Sequence, residues 1–559
     1  MRNYYFKGNI QIQSPLHIGS GESGDFIDNL IMRDSNDNPY IPGTSICGIM
    51  AIIAKKRLML DDIAFEKAEF NPIFRSLFGS AGKKGEGEES RLIVLDAILV
   101  PDKNVKIFIQ DRNSIDRERG SSLEKYLFHD EVVSSNACFE FSCEFREKVE
   151  FENLNLLIDV LEIMGSGLAS IGGKTGTGHG NFKLTILECF YFERTNPDDI
   201  LNFALEKTNA LPRVEKITSL KKHNISLNKN ISKIKFTPEV IKIKGIIRPL
   251  DPILVKTGFP TDIVNRKNTI TINELKDLPI DDKPVSVDSA FCCYPDNIPY
   301  IPGSSIRGCF RSHAEKIIRT LIYNINKNDQ NAKNSVWDVK TLGIKAKELK
   351  DKDYNEIYDE ACIISKLFGF GAMGGRISFS DAEPENKEKF KGHLKLIDHV
   401  AIDRFTGGAA QKKKFNSRPF FPNYPEQDSS GDMKFLIRLE DFEEWHLGLV
   451  ALLLKDLYNG QILIGYGKNK GFGRVKLLKG NITIEGLTYN FNKDNKGIFA
   501  DFTDKTGGDI GEFIHIPETP IKSGENFWVN KDDRLFIIIE KAIRAFKKEL
   551  QAYIGKNKT

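Results

Sequence analysis

Long apolar segments and cysteine pairs of the kind that bind metals are both missing from this sequence. No run approaches the about 18 apolar residues that a membrane-spanning helix requires. The opening MRNYYFKGNIQIQ alternates like a β-strand and lacks the apolar core of a signal peptide. The eight cysteines include no CxxC pair, which argues against a disulfide framework and a zinc motif. These features predict a cytoplasmic protein with reduced thiols and no membrane partner.

A strong net charge is missing as well. The 80 Lys and Arg residues are nearly balanced by 77 Asp and Glu, which leaves a formal charge of +3. Such a charge does not indicate nucleic-acid binding by itself, so only local clusters of cations can support that function. A chain of 559 residues exceeds what one hydrophobic core holds, and we therefore expect at least two domains.

An internal duplication organises the chain. Residues 38–48 are NPYIPGTSICG, and residues 298–308 are IPYIPGSSIRG. Asp28 and Asp288 precede these segments at the same offset. Downstream the same motifs recur in one order: RSLFG and SKLFG, RLIVLDA and RISFSDA, IDR in both copies, and finally GGKTGTGHGNFKL and GYGKNKGFGRVKL. A repeat of this length predicts two copies of one structural unit.

Each copy alternates short strands with helices and ends in a Gly-rich hairpin. This order predicts an α+β protein of two tandem ferredoxin-like domains. Residues 532–553 carry apolar side chains at helical spacing and predict an amphipathic C-terminal helix. The predicted divisions are a first domain over residues 1–192, a connector over 193–240, a second domain with insertions over 241–480, and a C-terminal extension over 481–559.

The PYIPG segments lead from a strand into a helix, and the free backbone N–H groups of a helix start suit a phosphate. Basic side chains follow along each helix and are candidates for phosphate contacts. The candidate RNA-binding residues of these helices are Ser45, Lys55, Lys56 and Arg57 in the first copy, and Ser305, Arg307, Arg311 and Lys316 in the second. The alternative is that the hydroxyl groups cap the helices and the cations face water.

The Gly-rich hairpins combine flexible backbone, cations and a ring. Lys174 and His179 in the first copy, and Lys468 and Lys470 with Phe472 in the second, are further candidates for RNA contacts. An ordinary flexible hairpin is the alternative interpretation. The GKT of the first hairpin is no P-loop, because Leu168 stands where that motif needs glycine.

Two carboxylates are candidates for chemistry. Asp28 and Asp288 each lie just before the presumed phosphate-binding turn, where a carboxylate can hold Mg²⁺ or Mn²⁺. One protein carboxylate per site suffices if RNA phosphates supply other ligands. A zinc site at Cys292, Cys293, Cys309 and His313 is the weaker alternative, because adjacent cysteines have poor ligand spacing.

The motifs LHIGSGE, FIDNLIMRD, PYIPGTSICG and AIDRFTGGAAQKKKF resemble the RAMP superfamily, and in particular the backbone subunits of type III CRISPR-Cas effector complexes. The resemblance covers roughly residues 1–190 and 245–480. It implies an RNA-recognition-like fold with a thumb hairpin, which binds guide RNA beside other effector subunits and kinks the guide–target duplex. The fusion of two copies resembles a III-D-like variant.

In cleaving members of this family, an aspartate before the PYIPGSS segment cuts target RNA with a metal ion, and Asp28 and Asp288 match that position. The first copy departs from the family at IDRERGSSLEKYLF, where a TGGA-type stretch is usual. The second copy has LVKTG in place of LHIG. Two alternatives stay open: a guide-RNA scaffold without cleavage, and a stand-alone nuclease that processes precursor RNA with His17 or His179 as the acid–base group.

Overall fold

The computed structural model describes fourteen stretches of the chain, and the statements below concern these. They are residues 2–59, 65–80, 87–115, 122–147, 152–193, 197–206, 240–256, 289–296, 298–325, 354–371, 373–386, 394–422, 431–485 and 534–556. Asp288 and most of the second copy's predicted insertions lie outside them. The chain divides into two compact units. The first contains Met1–Gln110, Phe128–Val240 and Glu485–Gly508, and the second contains Asp111–Leu127, Ile241–Ile484 and Asp509–Thr559.

The first copy supplies the strands and helices of one sheet layer and one helix layer. Its strands are β1 (Arg2–Ile12), β2 (Tyr40–Ile41), β3 (Leu92–Val94), β4 (Ala97–Leu99), β5 (Ile107–Ile115), β6 (Ser122–Val133), β7 (Cys138–Glu147) and β8 (Phe182–Glu193). Its helices are α1 (Gly43–Met59), α2 (Pro72–Phe78), α3 (Glu152–Ser166) and α4 (Pro197–Glu206). The main sheet has the order β2-β4-β7-β1-β8, and β3 also pairs with β7.

The second copy repeats this plan. Its strands are β9 (Val240–Pro249), β10 (Ile377–Phe379), β11 (Glu383–Pro384), β12 (Ile397–Ile402), β13 (Ala409–Ser417), β14 (Met433–Glu440) and β15 (Val475–Glu485). Its helices are α5 (Gly303–Ile325), α6 (Tyr354–Glu360), α7 (Ile363–Phe368) and α8 (Glu444–Tyr458), and α9 (Arg534–Lys556) follows. The sheet order is β10-β14-β9-β15. In both sheets the last strand lies beside the first, which is the ferredoxin-like arrangement, and the predicted fold is confirmed.

Strand alternation explains how each sheet buries one face. In β1, Tyr4, Phe6, Ile10 and Ile12 are buried on one side, as the period of two residues in a strand requires. They pack with Phe139 and other apolar side chains of β7 and β8 under helices α1 and α3. Each fully buried phenylalanine contributes about 1.5–3 kcal/mol to folding.

The C-terminal helix α9 packs directly on helix α8. Its buried residues Ala542, Phe546 and Leu550 recur every four positions, which confirms the predicted amphipathic helix. The approach is close at Gly448, because a Cβ atom there would lie 2.1 Å from the carbonyl oxygen of Ala542. No helix among the described residues is both long and apolar enough to cross a membrane.

Each copy extends a two-stranded hairpin from its sheet, β5 with β6 and β12 with β13. These two hairpins lie at the two IDR motifs. The family resemblance places a thumb hairpin at this point of each domain. In the second hairpin the Asp403 carboxylate accepts the N–H groups of Phe405 and Thr406, both at 2.9 Å. These bonds order the tip, on which the ring of Phe405 is fully exposed. The tip of the first hairpin, residues 116–121, lies outside the described residues.

Candidate functional site

The loop that carries Asp28 is attached to strand β6. The Asp28 Oδ2 atom accepts the N–H of His129 at 2.7 Å, and the Asp28 N–H donates to the carbonyl oxygen of His129 at 3.0 Å. The Asp28 side chain is exposed, so Oδ1 remains accessible to an ion or a phosphate-bound metal. This pair of hydrogen bonds holds the carboxylate in one position without burying it.

The Gly-rich hairpin reaches the same segment of β6. The Lys174 Nζ atom lies 3.2 Å from the carboxylate of Asp130, a residue that is fully buried. Asp130 also accepts a hydrogen bond from the Asn29 side chain at 2.6 Å. Asn29 and Asp130 are the chain neighbours of Asp28 and His129, so the fold brings the predicted cation Lys174 beside the predicted catalytic loop.

The second copy has the same backbone arrangement around a different set of side chains. The N–H of Arg418 donates to the carbonyl oxygen of Ser289 at 2.8 Å, as the N–H of Glu131 donates to Asn29 at 3.0 Å. Ser289 directly follows Asp288. The sequence alignment of the two copies therefore agrees with the backbone hydrogen bonds of the structure as far as Ser289, the residue after Asp288.

A surface of cations and rings surrounds the second Gly-rich hairpin. We define the basic aromatic surface as Lys256, His399, Phe415, Tyr466 and Lys470. The Lys470 Nζ atom lies 4.4 Å from the Phe415 ring centre and 5.5 Å from that of Tyr466, and Lys256 lies 4.0 Å from Tyr466. His399 stacks on Phe415 with ring centres 4.8 Å apart. Burial, followed by the charge of Lys470, lowers the pKa of His399. Lys468 is exposed beside this surface.

The N–H group of the first residue of each of the two helices α1 and α5 is bonded within the fold. The N–H of Gly43 donates to Asp96 at 2.7 Å, and the N–H of Gly303 donates to Asp381 at 2.7 Å. The N–H groups of the half-buried Ser45 and Ser305 donate to the preceding proline carbonyls, each at 2.9 Å. An aspartate of the chain itself therefore accepts the first N–H group of each helix. Their repetition in RLIVLDA and RISFSDA was a sequence signal for these residues.

Most cations along the two helices bind within the fold. Arg307 and Arg311 donate to the carbonyl oxygens of Phe368 and Gly369, the latter at 2.9 Å, and so cap the C-terminus of α7. Lys55 pairs with Glu69, and Arg57 is buried against Asp159 at 2.9 Å. Lys56 and Lys316 are half-buried and exposed, respectively.

His179 is also enclosed. Its ring is buried, with Nε2 2.6 Å from the Gln110 side-chain oxygen and Nδ1 3.2 Å from the Thr177 hydroxyl. His17 is buried as well, with Nδ1 2.7 Å from the carbonyl oxygen of Glu131. Neither ring is presented at the surface to an RNA strand.

The candidate zinc ligands do not assemble. His313 Nε2 lies 2.7 Å from Asp456, and burial raises the pKa of the Cys293 thiol to about 11, which disfavours the thiolate that metals bind. No group of three or more His, Cys, Asp or Glu side chains among the described residues is arranged to hold a metal ion. A divalent ion at Asp28 would therefore take its remaining ligands from RNA or water, as Mg²⁺ commonly does.

The buried helix cap Asp381 gives the second copy a pH-dependent stability. Burial raises the pKa of Asp381 to about 6, against the opposing hydrogen bonds from Gly303 and Tyr294. The folded state thus binds the proton more tightly than the unfolded state, and stability falls as pH rises from about 4 to about 6, by about 3 kcal/mol in total.

Asp381→Asn is expected to flatten this part of the pH profile in thermal unfolding. The exposed Asp296→Asn should keep the wild-type profile, and equal profiles for Asp381→Asn and wild type would contradict the prediction.

Comparison with known proteins agrees with the duplicated architecture. The RAMP superfamily model matches residues 9–183 and 247–476. A CRISPR system Cms endoribonuclease Csm3 from Methanocaldococcus jannaschii is 27% identical over 195 residues, which cover 32% of this chain and 76% of that protein. The Csm3 endoribonuclease from Enterococcus italicus is 27% identical over 199 residues, which cover 32% of this chain and 90% of that protein. The chain belongs to the RAMP superfamily and carries two of its domains in one polypeptide.

Proposed function

We propose that this chain is a guide-RNA-binding backbone subunit of a type III CRISPR effector complex, and that each of its two domains cuts target RNA with a divalent metal ion. The observation that carries the proposal is the exposed Asp28 carboxylate, fixed by His129 next to the Lys174–Asp130 pair. The named activity of the Csm3 relatives supports it. The partners are guide RNA, target RNA and other subunits of the complex.

The basic aromatic surface supports RNA binding. Aromatic faces stack on bases of any sequence, and cations pair with the phosphates between them. Tyr466 is half-exposed and lies close to both the Lys256 and the Lys470 ammonium groups, and Lys468 is exposed nearby. In this proposal, Lys468 and Lys470 contact the guide backbone. The exposed Phe405 on its ordered tip suits a wedge that separates neighbouring bases, as other apolar side chains do in nucleic-acid complexes.

Asp28, and Asp288 in the second copy, would hold Mg²⁺ or Mn²⁺. The accessible Oδ1 of Asp28 is a hard oxygen ligand of the type these ions prefer. A bound ion would supply positive charge at the scissile phosphate. The His129 N–H keeps the carboxylate oriented, and the Lys174–Asp130 ion pair lies beside the same loop.

Two other functions have less support. A nuclease that processes precursor RNA without metal needs an accessible general acid, and both His17 and His179 are buried with ring nitrogens bonded inside the fold. A scaffold without cleavage would need the cations and rings but no ordered, exposed carboxylate.

The test uses the complex reconstituted with guide RNA and an end-labelled complementary target. Two distinct cleavage products are expected, which appear only with guide and with Mg²⁺ or Mn²⁺, and disappear with a chelator. Repeat-containing precursor RNA should stay intact without metal. Metal-independent cleavage of that precursor would favour the processing nuclease, and intact target with tight guide binding would leave a scaffold.

A further inference from the structure

The turn that carries Asp28 is ordered by its own backbone. The N–H of Ser20 donates to the carbonyl oxygen of Leu30 at 2.9 Å, and the N–H of Leu30 donates to Glu22 at 3.2 Å. At the tip, the N–H of Gly24 donates to Ile27 at 2.8 Å. Residues 20–30 thus form a closed reversal of the chain that contains the proposed catalytic carboxylate.

Phe26 lies at the tip of this turn with 81% of its surface exposed. Burial of such a ring would contribute about 1.5–3 kcal/mol, and in this position the fold gains almost none of it. Only one residue, Ile27, separates Phe26 from Asp28 along the chain, so their Cα atoms lie within about 7 Å. An exposed aromatic ring therefore lies near the proposed cleavage site.

Charge decides which part of an RNA strand this turn can attract. Glu22, Asp25 and Asp28 are exposed, and residues 20–30 contain no Lys or Arg. Like charges repel, so the turn disfavours contact with phosphates other than through a metal ion. The Phe26 ring is uncharged, and base–aromatic stacking tolerates any base because every base has a π face.

We propose that Phe26 is a positioning residue that stacks on a nucleobase next to the phosphate cut at Asp28. The inference rests on the proposed function and deepens it. Ser286 occupies the equivalent place before Asp288. The stacking contact therefore belongs to the first site alone, and the two sites differ in how they hold their substrate.

Cleavage kinetics in the guide-loaded complex test this proposal. Phe26→Ala is expected to slow formation of the Asp28-dependent product by about 5- to 150-fold, which corresponds to the loss of one base–aromatic stack. The Asp288-dependent product should form at the wild-type rate. Phe26→Trp should restore cleavage, because it keeps a ring. Phe70→Ala is the matched control, since Phe70 is another exposed phenylalanine of the same unit at 66% exposure.

Targets with a single abasic nucleotide separate stacking from other roles. An abasic nucleotide beside the Asp28-dependent cut should slow the wild type by the same factor and leave Phe26→Ala no slower than before. Independent, additive losses would overturn the proposal, as would wild-type cleavage by Phe26→Ala. A loss of both products, or of complex assembly, would assign Phe26 to a protein contact instead.

A fluorescent base analogue gives a readout that does not require cleavage. In an Asp28→Ala complex, 2-aminopurine is moved along the target one position at a time. One position should be quenched with Phe26 and released with Phe26→Ala. Quenching without any cleavage in the wild type would refute the nuclease function but keep the stacking contact. Cleavage at Asp28 without Phe26-dependent quenching would refute the stacking contact alone.

Discussion

Asp28→Ala and Asp288→Ala are each expected to abolish one of two target-RNA products, with a loss of about 10²- to 10⁴-fold, the usual contribution of a positioned catalytic group. The double substitution should leave the target intact. Guide binding should not change, because Asp28 is exposed and its loop is held by backbone bonds as well. The measurement is the rate at which each cleavage product forms from end-labelled target RNA in the reconstituted complex with Mg²⁺.

Asp28→Asn separates the charge of the carboxylate from its structural bond. The amide keeps an oxygen that can accept the N–H of His129, but it is a poor ligand for a divalent ion. We expect Asp28→Asn to lose cleavage as Asp28→Ala does. Asp25→Asn, which removes an exposed carboxylate from the same turn, should cleave normally. Full activity of Asp28→Asn would mean that the charge has no role, and unchanged products from all three variants would leave the chain as a scaffold.

Gly473→Ala is expected to destabilise the second domain by more than about 3 kcal/mol. Gly473 has φ +93°, and a Cβ atom there would lie 2.3 Å from the carbonyl oxygen of Ile464. The backbone cannot move away easily, because Gly473 is bonded to Ile464 and Pro252, both at 2.8 Å. Backbone strain alone costs about 1–3 kcal/mol for a residue other than glycine, and the collision adds to it.

Gly471→Ala is the matched control for that substitution. Gly471 lies in the same hairpin with φ +81°, but no atom lies within 4 Å of a Cβ placed there. Its cost should therefore be limited to strain. Thermal unfolding of both variants should show a clearly larger loss for Gly473→Ala, together with weaker RNA binding through Lys468 and Lys470. Equal losses would mean that strain accounts for both positions.

Local patterns predicted the secondary structure well where apolar residues recur at one regular spacing along the whole segment. The C-terminal pattern at 532–553 corresponds to α9, which the structure places at Arg534–Lys556. The internal repeat predicted the ferredoxin-like plan, because two copies with the same motif order must fold alike. The domain boundaries and the roles of the site residues stay predictions.

Contacts between residues distant in sequence determine the hydrogen-bond partners at the helix starts. Asp96 lies 53 residues after Gly43 and Asp381 lies 78 residues after Gly303, and no local pattern links either carboxylate to a helix start. Likewise, Arg307 and Arg311 look like phosphate ligands in the sequence but bind carbonyl groups at the end of α7. A cation has the same letter in the sequence whether it faces solvent or caps a helix.

The sequence by itself determined the duplication, the order of strands and helices, and the place of an aspartate before each PYIPG segment. These follow from local periodicity and self-similarity, which need no knowledge of distant contacts. Only the tertiary structure decided which groups are accessible. It buried His17 and His179, paired Lys174 with Asp130, gathered rings around Lys470, and left Asp28 and Phe26 exposed on one turn. The accessibility of a side chain depends on which residues pack against it. Those packing partners are determined only by the tertiary fold.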